Sequence, residues 1–378
     1  MPAPLKASNS GPRVSPERCR VALVLPSFAG GGAERVMISL MAALDAAAFE
    51  RAIVVLDDQG PWRSLVPADI PVTALGRPRL RRALLPLRRA LARLDPDIVV
   101  SAIGYLNLGI LALSPFLPAK TRFVVREANT PSRNARSGFG QWLYRRAYAR
   151  LYRRADAVIS PSAAIAKELV ESCGVPQRRL TVLPNPVDES GLRAAAAPPR
   201  RVAGGGRRFV AVGRLAPQKG FDRLIDAMAE MPADTHLTIL GEGEERGALE
   251  ARRKALGLEA RIALPGFERS AASWMAGADA LLLPSRWEGL PNVALEALAV
   301  GTQVVASAEA GAIGEIAAEA PPGAVRCVET DAAFGMAMKA VAPDPVSAVR
   351  ASLLPAAFRL DAVVPRFAQL LRSRTDRA

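Results

Sequence analysis

Short apolar stretches recur along the chain, and between them lie longer segments whose apolar residues repeat at helical spacing. Such uncharged runs are typical of buried parallel strands, and the helical segments are typical of the connections between them. Strands are predicted at 21–25, 52–56, 72–75, 98–102, 123–125, 157–160, 180–183, 209–212, 236–240, 280–283 and 303–306. Helices are predicted at 33–44, 79–94, 141–154, 162–173, 221–229, 244–256, 293–300 and 358–372. The sequence therefore predicts an α/β protein with two doubly wound parallel sheets.

The alternation of strands and helices breaks once, between residues 189 and 208. An alanine run, a Pro-Pro pair, three consecutive glycines and clustered arginines occupy this stretch, which is typical of a linker between domains. A chain of 378 residues is also long for a single core and natural for two. We therefore expect a loose tail at 1–18, a first domain at 19–189, a linker at 190–207, a second domain at 208–355 and a final helical segment at 356–378.

Cysteine usage and hydropathy favour a cytoplasmic protein. The three cysteines, Cys19, Cys173 and Cys327, are too few and too scattered for a disulfide framework or a metal site, so reduced thiols are expected. Residues 1–20 lack the apolar core of a secretory signal. The longest uncharged apolar run, 105–119, is too short to span a bilayer and contains two prolines.

The positive charge of the chain is concentrated in its first half. Residues 1–190 contain 27 Lys and Arg against 15 Asp and Glu, whereas the remainder contains 23 against 21. A basic half favours an extended anionic partner, either nucleic acid or an anionic membrane, although arginines can equally cover solvated helix faces. The helices at 79–94 and 141–154 carry much of this charge. The second of them also contains Trp and Tyr, which suit a lipid headgroup region as well as ordinary packing.

The segment after the apolar run 280–283 carries the strongest chemical signal. A tight loop leads into the helix at 293–300, and backbone N–H groups at the helix start would point into the crevice at the carboxyl end of the strand. These groups belong to Gly289, Leu290 and Asn292. Glu288 in the loop and Glu296 in the helix place two carboxylates beside this anion site. A ligand that carries both phosphates and sugar hydroxyls would satisfy both kinds of group.

Two basic side chains follow another strand of the second domain. Arg214 and Lys219 lie in the loop between the strand at 209–212 and the helix at 221–229. Arginine grips phosphate through two N–H groups and lysine acts as a compact charge, so the pair could neutralise a departing diphosphate. The sequence has no Asp-x-Asp motif at a strand end and no cluster of carboxylates with histidine. We therefore expect that no metal and no other cofactor is needed.

The first domain has two further segments of interest at strand ends. Three consecutive glycines follow the strand at 21–25; they are Gly30, Gly31 and Gly32. Glycines here let a ligand approach the backbone closely, although a simple tight turn is the alternative, and the stretch does not match the G-x-G-x-x-G fingerprint. Polar residues follow the strand at 123–125; they are Arg126, Glu127 and Asn129. Both segments are expected to fall in one cleft.

Three of these segments resemble the motifs of one enzyme family. Glu288 and Glu296, with seven residues between them and Gly-Leu-Pro-Asn after the first, resemble the paired-glutamate motif of retaining glycosyltransferases of the GT4 type. The segment from Gly213-Arg214-Leu215 to Gln218-Lys219-Gly220-Phe221-Asp222 resembles the donor-phosphate segment of that family. Gly30-Gly31-Gly32-Ala33-Glu34-Arg35 resembles its N-terminal glycine loop. The motifs occur in family order and together cover most of the chain.

This resemblance implies the GT-B architecture, in which two Rossmann-like domains face each other across a cleft and a terminal helix crosses back to the first. It implies that Glu296 accepts hydrogen bonds from the ribose of a nucleotide sugar. It also implies that Glu288 stabilises the cationic transition state of the transferred sugar, and that Gly266 and Phe267 lie near the base. The wider donor set that it implies comprises Gly213, Arg214, Lys219, Gly289, Leu290, Asn292 and Val293.

On the acceptor side, the resemblance places polar groups at Arg126, Glu127 and Asn129, next to the glycine loop. Many relatives carry a histidine there, whereas the only histidine of this chain, His236, begins a strand of the second domain. Glu127 is therefore the candidate for a catalytic group on that side. The departing phosphate could instead take the proton of the acceptor, in which case no strong enzyme base is needed.

We therefore expect a metal-independent retaining transferase that moves a hexose from a UDP- or GDP-sugar to an acceptor. The basic first domain favours a lipid-linked saccharide of cell-surface polysaccharide synthesis, with peripheral contact at the inner face of the cytoplasmic membrane and no nucleic-acid partner. Two alternatives stay open. A nucleotide-sugar epimerase of the same architecture would keep the phosphate site without Glu288 and its Gly-Leu-Pro-Asn. A non-catalytic basic module would bind membrane or nucleic acid.

Overall fold

The computed structural model describes residues 18–29, 31–128, 139–200, 206–268, 270–344 and 348–373. The chain forms two lobes, each built on one sheet of parallel strands. Gly30, Asn129 and nearly all of the tail predicted at 1–18 lie outside the described residues.

The sheet of the first lobe has the order β3-β2-β1-β4-β5-β6-β7. Its strands are β1 (Cys19–Leu25), β2 (Phe49–Val55), β3 (Val72–Ala74), β4 (Ile98–Ala102), β5 (Arg122–Arg126), β6 (Ala157–Ser160) and β7 (Leu180–Val182). The helices are α1 (Gly32–Ala43), α2 (Leu80–Leu94), α3 (Gly104–Leu113), α4 (Phe139–Leu151) and α5 (Ala163–Glu171). Leu23 of β1 pairs with Ile53 of β2 and Val100 of β4, so β1 lies in the interior of the sheet.

The sheet of the second lobe has the order β10-β9-β8-β11-β12-β13. Its strands are β8 (Arg208–Val212), β9 (His236–Leu240), β10 (Ile262–Gly266), β11 (Ala280–Leu283), β12 (Val304–Ser307) and β13 (Val325–Val328). The remaining helices are α6 (Glu189–Ala195), α7 (Phe221–Ala229), α8 (Arg246–Ala255), α9 (Ala272–Gly277), α10 (Asn292–Ala299), α11 (Ile313–Glu319), α12 (Asp331–Lys339) and α13 (Leu360–Arg372). Both sheets reverse their order beside the first strand, and open α/β sheets form ligand sites at such a switch point. The predicted fold class is confirmed.

Each sheet is buried on both faces. Successive side chains of a strand point to opposite sides, so they enter two different cores. In the first lobe, Leu23 packs in the core that contains α1, and Val24 packs in the core that contains α2 and α3. In the second lobe, Val210 belongs to the core of α10, and Phe209 belongs to the core of α7 and α12. Burial on both sides explains why the strands have continuous apolar sequences instead of alternating ones.

The chain crosses between the lobes at two adjacent points. Val187 N donates to Phe358 O at 2.8 Å, and Leu360 N donates to Val187 O at 3.0 Å. After the first crossing, α6 packs on the second lobe through Leu192, so the segment predicted as a linker at 190–207 begins as a helix of that lobe. After the second crossing, α13 inserts Phe367 into the core of the first lobe. The two crossings are thus tied together by backbone hydrogen bonds.

Among the described helices, none combines the length and the apolar character that a bilayer crossing requires.

Candidate active site

The start of α10 offers unused backbone donors at the switch point of the second lobe. The loop after β11 ends at Pro291, the N-cap of α10, and the first N–H group bonded back to the loop is that of Ala294, which donates to Pro291 O at 3.1 Å. Four N–H groups before it donate no hydrogen bond within the described chain; they belong to Gly289, Leu290, Asn292 and Val293. Free donors at a helix N-terminus bind anions readily, so this helix start has the geometry on which the predicted anion site depends.

Lys219 and Glu288 form an ion pair beside these donors. Lys219 Nζ lies 2.5 Å from Glu288 Oε1, and the Ser285 hydroxyl donates to the same oxygen at 2.8 Å. Only 18% of the Lys219 side chain and 10% of the Glu288 side chain are exposed, so each charge depends on the other. A Cβ added at Gly213 would lie only 3.0 Å from Lys219 Cε. The absence of a side chain at Gly213 therefore leaves room for the lysine side chain. Three predicted donor residues therefore meet.

Arg214 supplies an uncompensated positive charge on the same loop. Its side chain is exposed and forms no ion pair with any described residue. The loop closes against the end of β9, where Gly241 has a φ of +143° and an added Cβ would collide with Gly213 O. Gly241 N donates to Gly266 O at 2.8 Å, and the exposed Phe267 follows. The predicted donor residues at 213–219 and at 266–267 thus lie at neighbouring strand ends.

The turn at Gly311, before α11, supports the loop that carries Glu288. Gly311 has a φ of +65°, and an added Cβ there would collide with the carbonyl oxygens of Glu288 and Gly289. Ala312 N donates to Gly289 O at 2.9 Å. Gly311 is therefore required by a close backbone approach as well as by its left-handed conformation.

The two lobes meet directly at α10. Glu296 forms an ion pair with Arg35 of α1, and a Cβ added at Gly32 would collide with the side-chain amide of Asn292. At Gly31, by contrast, an added Cβ would meet nothing within 4 Å. The described glycines of the first-lobe loop thus differ, because only Gly32 is required for the approach to α10. Arg35 belongs to the glycine-loop motif, whose sequence indicates no partner for its charge.

A second contact between the lobes runs through buried polar side chains. Arg126 Nη2 donates to Asn185 Oδ1, and Asn185 Nδ2 donates to Asn292 Oδ1. Burial lowers the pKa of the Arg126 guanidinium to about 10, against the opposing influence of Glu127. Asn185 was not among the predicted site residues, because its importance comes from its position at the crossing between the lobes.

Glu127 lies in a buried polar cluster of the first lobe. Its Oε1 atom accepts hydrogen bonds from Asn107 Nδ2 at 2.9 Å and from Tyr148 Oη at 3.1 Å, and Tyr152 donates to the same atom. Burial raises the pKa of the Glu127 carboxyl to about 7, although these donors favour the ionised form. Glu127 is only 1% exposed. Its contact with an acceptor stays a prediction.

Glu315 of α11 caps a helix of the opposite lobe. Its two carboxylate oxygens accept hydrogen bonds from Ala163 N and Ala164 N, each at 2.9 Å. These N–H groups open α5, whose N-cap Ser162 accepts from Ile165 N at 3.2 Å. A carboxylate at a helix N-terminus is favoured by both the free donors and the helix dipole. The contact is a further link between the two lobes.

The described residues contain no group of three or more His, Cys, Asp or Glu side chains that could hold a metal ion. The predicted metal independence stays a prediction, because the reaction has to be measured with and without metal.

Comparison with known proteins agrees with this geometry. A model described as Glycosyltransferase Family 4 matches residues 30–190, and one described as Glycosyl transferases group 1 matches residues 206–344. N-acetylgalactosamine-N,N'-diacetylbacillosaminyl-diphospho-undecaprenol 4-alpha-N-acetylgalactosaminyltransferase of Campylobacter jejuni is 27% identical over 76% of this chain and 80% of its own length. The lipopolysaccharide core biosynthesis glycosyltransferase LpsE of Rhizobium meliloti is 29% identical over 74% of this chain and 77% of its own length.

Solved structures match the fold over nearly the whole chain. Anabaena Alr3699/HepE in complex with UDP and glucose superposes with a TM-score of 0.75 at 20% identity, covering 94% of this chain and 100% of that one. Sucrose-phosphate synthase from Thermosynechococcus elongatus superposes with a TM-score of 0.76 at 19% identity, covering 94% of this chain and 98% of that one. The fold is therefore GT-B. The two family models together match most of the chain, so the protein is a glycosyltransferase. The chain belongs to the group 1 glycosyltransferases of the GT4 type.

Proposed function

We propose that the protein transfers a hexose from a UDP- or GDP-sugar to a lipid-linked saccharide, with retention of the anomeric configuration. The observation that carries this proposal is the Lys219–Glu288 pair beside the free N–H groups at the start of α10. It puts a cation, a carboxylate and unused donors within one small crevice. The cation and the N–H donors would stabilise a diphosphate. The carboxylate would stabilise a sugar that becomes cationic.

Breaking the donor requires stabilisation of the leaving group. The bond between the anomeric carbon and the phosphate oxygen breaks, and its electron pair leaves with the nucleoside diphosphate. Lys219, Arg214 and the N–H groups of α10 would neutralise the charge that develops on this group. Because these donors are fixed by the fold, little reorganisation is needed when the charge appears.

The sugar and the acceptor would react on the other side of the broken bond. Glu288 would face the anomeric centre and stabilise its positive charge, while the acceptor oxygen forms the new bond on the same face. The acceptor proton would pass to the departing phosphate oxygen, so no separate base is required. Glu296 would accept hydrogen bonds from the ribose hydroxyls, with Arg35 holding its orientation.

A lipid-linked acceptor is supported by the relatives and by the surface of the first lobe. The Campylobacter jejuni enzyme is named for a diphospho-undecaprenol-linked substrate. In the first lobe, large apolar side chains are exposed on or beside the basic helices; they are Leu85, Phe116 and Trp142. Arg146 lies over the Trp142 ring, 4.7 Å from its centroid. Basic and aromatic side chains of this kind suit the headgroup region of an anionic membrane.

Thermal unfolding tests the donor site directly. We expect UDP or GDP, but not ADP, to raise the melting temperature, with the same shift in the presence of EDTA. A panel of nucleotide sugars, assayed for slow hydrolysis, would then name the donor. The absence of any shift with a uracil or guanine nucleotide, together with tight binding of oligonucleotides, would support a basic binding module in place of a transferase.

A further inference from the structure

Arg126 carries a buried positive charge at the carboxyl end of β5, where it is only 1% exposed. It forms no ion pair with any residue that the structure describes, and its buried Nε atom finds no hydrogen-bond partner among them. Only the influence of Glu127 opposes the lowering of the Arg126 pKa by burial. A buried cation is costly unless an anion or oriented dipoles compensate its charge. A negative group is therefore favoured close to Arg126.

A chain of side-chain hydrogen bonds leads from Arg126 to the second lobe. Arg126 Nη2 donates to Asn185 Oδ1, and Asn185 Nδ2 donates to Asn292 Oδ1. Both donors point away from Arg126 and toward α10. Hydrogen bonds in such a chain polarise one another, so a chain that begins at a cation ends in a strengthened donor. That last donor is the side-chain amide of Asn292. These three residues form the amide chain.

The backbone fixes Asn185 in the middle of the amide chain. Asn185 is 5% exposed and lies between Pro184 and Pro186, whose rings restrict the backbone on both sides of it. The backbone is anchored again directly afterwards, where Val187 N donates to Phe358 O at 2.8 Å. Little conformational freedom remains to be lost when a ligand binds, so the orientation of this amide is preorganised.

The amide chain ends at the proposed phosphate site. Asn292 is the first residue of α10, is partly buried, and has a backbone N–H group that donates no hydrogen bond within the described chain. Its Nδ2 atom lies against Gly32, because a Cβ added there would collide with it. Beside Gly32, a Cβ added at Gly31 would meet nothing within 4 Å. The amide therefore lies between the glycine loop and α10, next to the free N–H groups of that helix.

We infer that Arg126 and Asn185 are positioning residues for the donor diphosphate, and that they act through the side-chain amide of Asn292. This inference rests on the proposed function. It gives Arg126 a role toward the donor, whereas the motif resemblance places this residue on the acceptor side. A phosphate oxygen would accept from the Asn292 amide and from the N–H groups of α10. The charge of Arg126 would strengthen these bonds from within the first lobe.

Because the amide chain includes residues of both lobes, phosphate binding and the contact between the lobes would favour each other. By linkage, a ligand that binds more tightly when the chain is intact also stabilises the intact chain. A role confined to holding the lobes together would instead affect every part of the nucleotide equally. The affinity for the diphosphate, compared with that for the nucleoside alone, therefore distinguishes the two roles.

Asn185→Ala interrupts the amide chain and leaves both of its ends in place. We expect the affinity for the nucleoside diphosphate to fall about tenfold, because a charge-assisted contact is weakened. The affinity for the nucleoside should change by less than about twofold. The probes are UDP and uridine, or GDP and guanosine, according to the base that raises the melting temperature. Calorimetry measures the diphosphate directly and the nucleoside by competition. Equal losses for both probes would overturn the inference, and so would no loss for the diphosphate.

Glu315→Gln is the matched control, because it weakens a different contact between the lobes. We expect it to change the affinity for the diphosphate by less than about twofold. A loss as large as that of Asn185→Ala would mean that looser lobes cause the effect, which contradicts the inference. Melting temperatures show whether each variant folds.

The charge of Arg126 is tested by two substitutions. Arg126→Lys keeps the positive charge and a donor, so it should retain more affinity for the diphosphate than Arg126→Gln. Equal affinities in these two variants would show that the charge plays no part. Should Arg126→Gln fail to fold, Asn185→Ala and Asn292→Ala decide the question, because neither removes the buried charge.

A double variant tests whether the residues act in series. Asn292→Ala removes the end of the amide chain and keeps the backbone N–H group. Adding Asn185→Ala to it should cost no further affinity for the diphosphate, because the chain is already broken. Additive losses would overturn the inference. Failure of the unmodified protein to bind any nucleoside diphosphate would overturn the proposed function itself, whereas normal binding with an unaffected Asn185→Ala would overturn only the role of the amide chain.

Discussion

Arg35 of the first lobe forms an ion pair with Glu296 of the second, so the carboxylate expected to bind the ribose is already held across the cleft. The Arg35 side chain is 31% exposed and that of Glu296 is 11% exposed, which makes the pair more strongly coupled than a surface salt bridge. The pair joins α1, which follows the glycine loop, to α10, which follows the loop that carries Glu288. Under the proposed function, donor binding and the contact between the lobes would share one carboxylate.

Replacing Arg35 with Gln should open the cleft of the ligand-free protein. Loss of the guanidinium leaves Glu296 without its partner, so the closed arrangement is destabilised relative to an open one in which the carboxylate is hydrated. We expect a larger radius of gyration by small-angle X-ray scattering. Arg63→Gln is the control, because Arg63 pairs with Asp58 within the first lobe. Equal radii for Arg35→Gln and the unmodified protein would contradict the idea that this pair holds the lobes together.

Replacing Glu288 with Gln should separate binding from transfer. The amide keeps the shape of the side chain but removes the charge that would stabilise a cationic sugar, so transfer should fall by about a hundredfold or more. Nucleotide affinity should change little, because phosphate contacts are made by other groups. Transfer at the parent rate would show that the role assigned to Glu288 is wrong.

Lys219→Ala should behave differently from Glu288→Gln. It removes a cation expected to contact the diphosphate and leaves Glu288 without its partner. We expect both nucleotide affinity and the transfer rate to fall, each by about tenfold or more. Calorimetry with UDP or GDP measures the first and a transfer assay the second. Unchanged nucleotide affinity would remove Lys219 from the donor site.

Replacing Glu315 with Gln should loosen the start of α5. The carboxylate accepts two backbone hydrogen bonds, whereas an amide offers one oxygen and brings an N–H donor against the other N–H group. Hydrogen exchange at Ala163 and Ala164 should become about fivefold faster. Glu319→Gln, at the other end of the same helix, should leave this exchange unchanged. Equal exchange in both variants would mean that Glu315 does not cap α5 in solution.

The pKa of Glu127 predicts a pH dependence of stability. The folded protein holds this carboxyl at a pKa of about 7, above the ordinary value of 4.5, so the folded state retains a proton that the unfolded state loses. The resulting stabilisation is fully present below about pH 4.5 and is lost as the pH rises through about 7. Its size is on the order of 3 kcal/mol.

Comparison of the unmodified protein with Glu127→Gln isolates this effect, because glutamine does not titrate. In urea unfolding, we expect the free energy of unfolding of the unmodified protein to fall relative to that of the variant between pH 5 and pH 7. A difference that stays constant over this range would show that the carboxyl does not titrate there. Other groups titrate equally in both proteins and cancel from the comparison.

Two of the elements that the sequence pattern missed, α3 and β13, have identifiable physical causes. The helix α3 is almost entirely apolar, so it has no polar face to mark its period, and β13 is only partly buried and contains Arg326 and Cys327. A helix is detected by its periodicity only when one side of it meets water and the other meets a core, and a buried strand is detected only when its sequence is continuously apolar. These elements had to be found by their packing.

The local chemistry was determined by the sequence itself. The strand, loop and helix signals around Glu288 are short-range. They were sufficient to predict that the free N–H groups, the two carboxylates and the basic loop at 213–219 belong to one lobe. Such features depend on residues that are neighbours in the chain, or on the rule that parallel strands end at a common edge.

Only the tertiary structure decided how the two lobes engage. The pairs Arg35–Glu296, Asn185–Asn292 and Glu315–Ala163 join residues more than a hundred positions apart, and their distances depend on the angle between two rigid sheets. The same is true of Glu127, whose sequence position suggested a cleft but whose side chain is buried among tyrosines. A side chain's partners across a domain boundary follow from packing of the whole molecule, and no local pattern encodes them.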